Sequence, residues 1–129
     1  MNDSANSCND DGKAKIDAYL DLVEARVFRA LASDAVQQSC STTLLLVFAA
    51  IDALGKLTHP NPKAPPGERF RQFLESLGAR YKERSDELWN LRNALVHNLI
   101  NIESYLSSVK VEGWTHLESV GPEGLLYVN

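Results

Sequence analysis

At 129 residues, with 44% hydrophobic and 23% charged side chains, the chain has the size and composition of one globular domain that can bury a core without disulfides or a structural metal. Its formal net charge of -4 argues against a broadly non-specific nucleic-acid coat, although a local basic site depends on where Arg and Lys sit rather than on their sum. Cys8 and Cys40 read as free thiols in a reducing compartment. No run approaches the ~18 to 20 apolar residues of a membrane span. The start "MNDSANSCNDDG" has neither the basic opening nor the apolar core of a signal peptide, so a cytoplasmic protein is expected.

Residues 1–12 are small, polar and acidic, a composition that buries too little to offset the entropy of ordering, and they are expected to form a disordered tail. From Lys13 to about Ala32, Ile16, Leu20, Val23, Val27, Ala30 and Leu31 recur at steps of three and four, which predicts an amphipathic first helix. Ser33 or Asp34 can cap a second helix running to about Leu57. That helix is apolar nearly all round from Leu44 to Leu54, as befits the central buried element. Asp52 interrupts the run, and an exposed position or a hydrogen bond to a neighbouring helix accounts for it better than catalysis does. The segment "THPNPKAPPG" holds four of the five prolines and turns the chain back. Residues 68–78 predict a short third helix with Phe70, Phe73, Leu74 and Leu77 inward, and "ARYKER" leads into the fourth.

The fourth helix is predicted over Asp86 to Ser107, with Ser85 as its cap and Asp86 and Glu87 in the first turn, where the helix dipole favours negative charge. Leu88, Leu91, Leu95, Leu99, Ile102 and Leu106 mark its apolar seam. Beyond it, Val109, Val111 and Trp114 alternate with polar residues before "LLYV", which suggests a small hairpin-like appendage over residues 108–129. The predicted architecture is therefore all-α, a four-helix bundle over residues 13–107 with a β-hairpin-like C-terminal appendage.

Within the motif helix, "LRNALVHNL" sets Arg92, Asn93 and His97 into an apolar run. A cation in a packed face must be paired, exposed in a cleft or placed at an interface, because burying it alone costs several kcal/mol. At 100° per residue, Asn93 and His97 share a face, whereas Arg92 and His97 diverge by about 140°. Asn93 could orient the imidazole; Arg92 must reach round or serve a second copy of the motif across a dimer interface.

These residues resemble the signature of the HEPN family, in which Arg is followed after four to six residues by His, commonly with a polar residue directly after the Arg. The order of two long helices, a proline-rich break, a short helix and the motif helix is similar to that family's bundle across residues 13–107. The resemblance implies metal-independent RNA cleavage at a composite cleft of a homodimer. The RNA 2'-hydroxyl attacks the adjacent phosphorus, leaving a 2',3'-cyclic phosphate and a 5'-hydroxyl. His97 would exchange protons near neutral pH. Arg92 would hold the phosphate and stabilise the growing negative charge, and Asn93 would fix the imidazole tautomer or touch a phosphate oxygen. Such enzymes belong to toxin-antitoxin or defence systems, so an antitoxin partner is implied. The alternative is a non-catalytic HEPN-like module that partners a minimal nucleotidyltransferase or another protein.

Arg80, Lys82 and Arg84, near or before the start of the motif helix, are the candidate RNA-binding cations. Arg69 and Arg71 could touch phosphates or form a solvated face. Trp89 is better read as a packing or interface residue than as a base-stacking platform. His59 and His116 lack the carboxylate or cysteine spacing of a metal site, and no cofactor motif is present in the sequence.

Overall fold

The computed structural model describes residues 3–33, 39–97, 104–107 and 110–129. Helix α1 spans Asp3–Val23 and runs on through a π-helical stretch, Glu24–Phe28, into the short α2, Arg29–Leu31. Helix α3 is Cys40–Thr58, α4 Pro66–Ser76, α5 Ala79–Glu83 and α6 Ser85–His97. A small sheet follows, built from β1 (Ser104–Leu106), β2 (Ser119–Val120) and β3 (Leu125–Val128). The expected mostly helical domain with a small C-terminal hairpin is thus the observed one.

The first helix differs from expectation at its start and along its face. Residues expected to form a disordered tail continue α1 back to Asp3. Its C-terminal end reaches the body: Val23 is buried, as is Val27 in the π-helical stretch, and the Tyr19 hydroxyl donates to the Ala53 carbonyl at 3.0 Å. Ile16 and Leu20, although helically spaced, are 46% and 40% exposed.

Helix α3 is capped by Ser39, whose Oγ accepts the Thr42 amide at 3.4 Å, rather than by Ser33; Asp34 lies outside the described residues. It supplies Leu44, Phe48 and Ile51 to a core completed by Phe70 and Leu74 of α4 and by Leu88, Leu91 and Leu95 of α6. Leu126 and Val128 of β3, with Leu117 just before β2, close that core. The α3–α4 contact is close because of Gly55: a Cβ there would lie 2.8 Å from the Arg69 carbonyl oxygen. Contrary to the expectation that no run is long enough, α3 has the length and apolar composition of a membrane-crossing helix. Its Leu44, Phe48 and Ile51 are nonetheless spent on the protein's own core.

Proline at the start of α4 suits a position whose N–H has no helical partner. Residues 79–83, expected to be a lead-in, form α5. The fourth helix was expected to reach Ser107, but Ser104–Leu106 form a strand parallel to β3, with Ser104 opposite Leu126 and Leu106 opposite Val128. Leu106 satisfies a helical and an alternating pattern equally, and the pairing with β3 decides between them. Leu99 and Ile102 lie outside the described residues. Acidic Asp86 and Glu87 occupy the first turn of α6 as expected, while Ser85 is a buried helical residue rather than a flanking cap. The expected hairpin is β2–β3, antiparallel with Ser119 opposite Leu126; Val109 lies outside the described residues, and Val111 and Trp114 precede the hairpin.

Candidate functional site

Arg92 projects from α6 toward α3, not toward solvent alone. Its Nε and Nη2 donate to the same Asp52 oxygen at 3.1 and 3.0 Å, and its Nη1 donates to Asn93 Oδ1 at 3.0 Å. The guanidinium also lies 5.1 Å from the centre of the Trp89 ring. Trp89 packs on Phe70 at 5.2 Å between ring centres and on Gly67, where a Cβ would meet its indole at 3.0 Å. The tryptophan is therefore a packing residue that forms one wall for the arginine. Asp52 fulfils the expected interhelical role, and its partner is the motif arginine.

The pair is only partly enclosed, with Arg92 23% and Asp52 30% exposed at the side chain. It borders a pocket of about 390 Å³ lined by Asp52 and Lys56 of α3, Arg69 of α4 and Arg92 of α6. Asp52 and Lys56 are one helical step of four apart and so share a face of α3. Three helices each deliver one cation to this pocket against a single carboxylate, a local positive excess in a chain of net charge -4. A phosphate-sized anion is the ligand such a donor set suits.

His97 ends α6 and is exposed. Among the described residues it has no hydrogen-bond or ion-pair partner. Asn93 turns its carbonyl oxygen to Arg92, so its amide nitrogen is the group left for an imidazole or a phosphate oxygen. Val96, beside the histidine, is 51% exposed and adds an apolar surface there.

The other expected RNA-binding residues lie elsewhere. Arg80 Nη2 donates to the His116 carbonyl at 2.7 Å. Arg84 Nε donates to the Leu117 carbonyl at 3.1 Å, while its Nη1 meets Glu87 Oε1 at 2.6 Å. Arg80 thus ties α5, and Arg84 the turn into α6, to the C-terminal segment, and Leu117 is held there at a φ of 67°. Lys82 is exposed on α5. Arg71 faces Asp86 at 3.6 Å. His59 accepts the Asn61 amide and lies 3.8 Å from Glu68, which makes it a brace for the proline-rich loop. Cys40 is a free thiol whose pKa burial pushes upward, so it is a poor nucleophile.

Lys56 was not singled out from the sequence. Its spacing of four from Asp52 was the available signal, but only the packing of α3 against α6 identifies that face as Arg92's. Compared with protein-family models, curated proteins and solved structures, the chain matches none.

Proposed function

We propose that the protein is a metal-independent endoribonuclease of a toxin-antitoxin or defence system. In this reading it acts as a homodimer in which Arg92 of one protomer and His97 of the other bracket the scissile phosphate. The observation that carries this reading is the pocket in which Lys56, Arg69 and Arg92 converge, with His97 exposed further along the Arg92 helix. Arg92 is held against α3 by Asp52, and His97, five residues on and exposed, diverges from it by about 140° around the helix, which argues against one copy setting both on the same phosphate. A second copy, docked through the exposed surface around Val96, supplies the missing partner.

The phosphodiester enters as an anion held by Arg92 with Lys56 and Arg69. His97 accepts the 2'-hydroxyl proton as the oxygen attacks phosphorus. The P–O5' bond breaks, and the departing oxygen takes a proton from the imidazolium or from water. The products are a 2',3'-cyclic phosphate and a 5'-hydroxyl. Arg92 stabilises the charge that grows on the phosphoryl oxygens. Because the nucleophile belongs to the RNA, cleavage should persist in excess EDTA and vanish when the scissile nucleotide is 2'-deoxy. Activity that chelation abolishes and magnesium restores would overturn the mechanism.

One observation favours a second reading, a non-catalytic helical module that binds a nucleotidyltransferase or another protein. The fork between Arg92 and Asp52 is complete without a ligand, as a structural ion pair would be. Under that reading Arg92→Lys leaves RNA stability untouched but lowers the melting temperature.

A further inference from the structure

A second cavity shares no lining residue with the Arg92 pocket and has a different chemistry. It is a half-open cavity of about 440 Å³ between α3, α4, α5, α6 and the C-terminal segment, in the size range of small-molecule sites. Leu44, Phe48, Leu88 and Val128 form part of its apolar wall, and Tyr81, Ser107, His116 and Asn129 are among the polar residues at its rim. A dry cavity of ~150 Å³ holds benzene, so this one has room for a ligand of more than about a dozen heavy atoms.

The polar end is specified by hydrogen bonding. His116 Nδ1 accepts the Asn129 amide at 3.2 Å, which places the proton of the neutral ring on Nε2. Among the described residues no acceptor is paired with that Nε2 proton. Burial and then the nearby Arg80 charge lower the His116 pKa, so the ring stays neutral and donates one N–H. Arg80, fixed on the His116 carbonyl, adds positive charge beside that donor. An apolar body with one anionic acceptor satisfies both ends.

We propose that this cavity binds a medium-chain monocarboxylate, its hydrocarbon against α3 and α6 and its carboxylate on the Nε2 proton of His116 beside Arg80. The site is separate from the Arg92 pocket and does not depend on RNA cleavage. Calorimetric titration of the full chain with decanoate should give saturable one-to-one binding, and decanol should bind about tenfold more weakly, the loss of one charge-assisted hydrogen bond. His116→Phe keeps a ring but removes the donor, and should weaken decanoate by a similar factor. Val47→Trp places an indole in the void and should abolish binding of both compounds. In the parent, decanoate should move the His116 Nε2 nitrogen resonance in proportion to occupancy. No saturable heat, equal affinity for decanol, unchanged affinity in His116→Phe or a stationary His116 resonance would each overturn the proposal.

Discussion

Removing Asp52 tests what holds Arg92 inside a largely apolar helix. The two Arg92 N–H groups share one Asp52 oxygen, and the side chains are 23% and 30% exposed, between a solvated surface pair and a buried one. Surface pairs contribute about 0–1 kcal/mol, whereas removing one partner of a buried pair costs about 3–5 kcal/mol. Discounted for partial exposure, Asp52→Ala should cost about 2 kcal/mol. For a chain of this length that lowers Tm by roughly 5–10 °C. The assay is a double-mutant cycle with Arg92→Ala, read by urea denaturation at low and at high salt. A coupling of about 1–2 kcal/mol, smaller in high salt, is expected. A coupling within about 0.3 kcal/mol of zero would refute the view that this pair locates Arg92.

Lys56→Ala and Arg69→Ala should each weaken binding of single-stranded RNA and flatten the slope of log affinity against log salt by about 0.7, measured by fluorescence anisotropy, while the Lys82→Ala slope stays parental. The lowered His116 pKa makes a signed prediction: the unfolded chain takes up this proton first, so stability is full above the ordinary histidine value of about 6.5 and falls as pH drops through the lower folded value. His116→Phe should remove that part of the acid sensitivity in denaturation midpoints taken from pH 7 downward, and identical pH profiles in variant and parent would contradict it.

Much of the helical body was legible because burial imposes its period on sequence. Leu88, Leu91 and Leu95 stand at steps of three and four and are all buried, as are Leu44, Phe48 and Ile51 in the all-round apolar α3. Periodicity misled where it continued without a partner. Ile16 and Leu20 carry the helical spacing yet stay exposed among the described residues, and Leu106 follows the same period yet is claimed by β3. The candidate site was half legible. Arg92, Asn93 and His97 stand out as polar residues in an apolar run, but the fork onto Asp52 and the convergence of Lys56 and Arg69 depend on how three helices pack, which no single helix encodes. The cluster Arg80, Lys82 and Arg84 looked like an RNA contact because charge and nearness to the motif are visible in sequence. The carbonyls of His116 and Leu117 that engage the two arginines lie more than thirty residues away.

The central claim, that Arg92 and His97 of different protomers form one cleaving site, is tested most directly by mixing two inactive variants. Arg92→Ala and His97→Ala should each be nearly inactive on RNA in EDTA, since general acid-base catalysis alone supplies ~100- to 10,000-fold. After co-refolding in equal amounts, about half of the dimers are mixed and each carries one intact Arg92–His97 pair, so cleavage should return to about a quarter of the parental rate. A mixture as inactive as either variant alone, with mixed dimers demonstrated by mass spectrometry, would contradict the composite site.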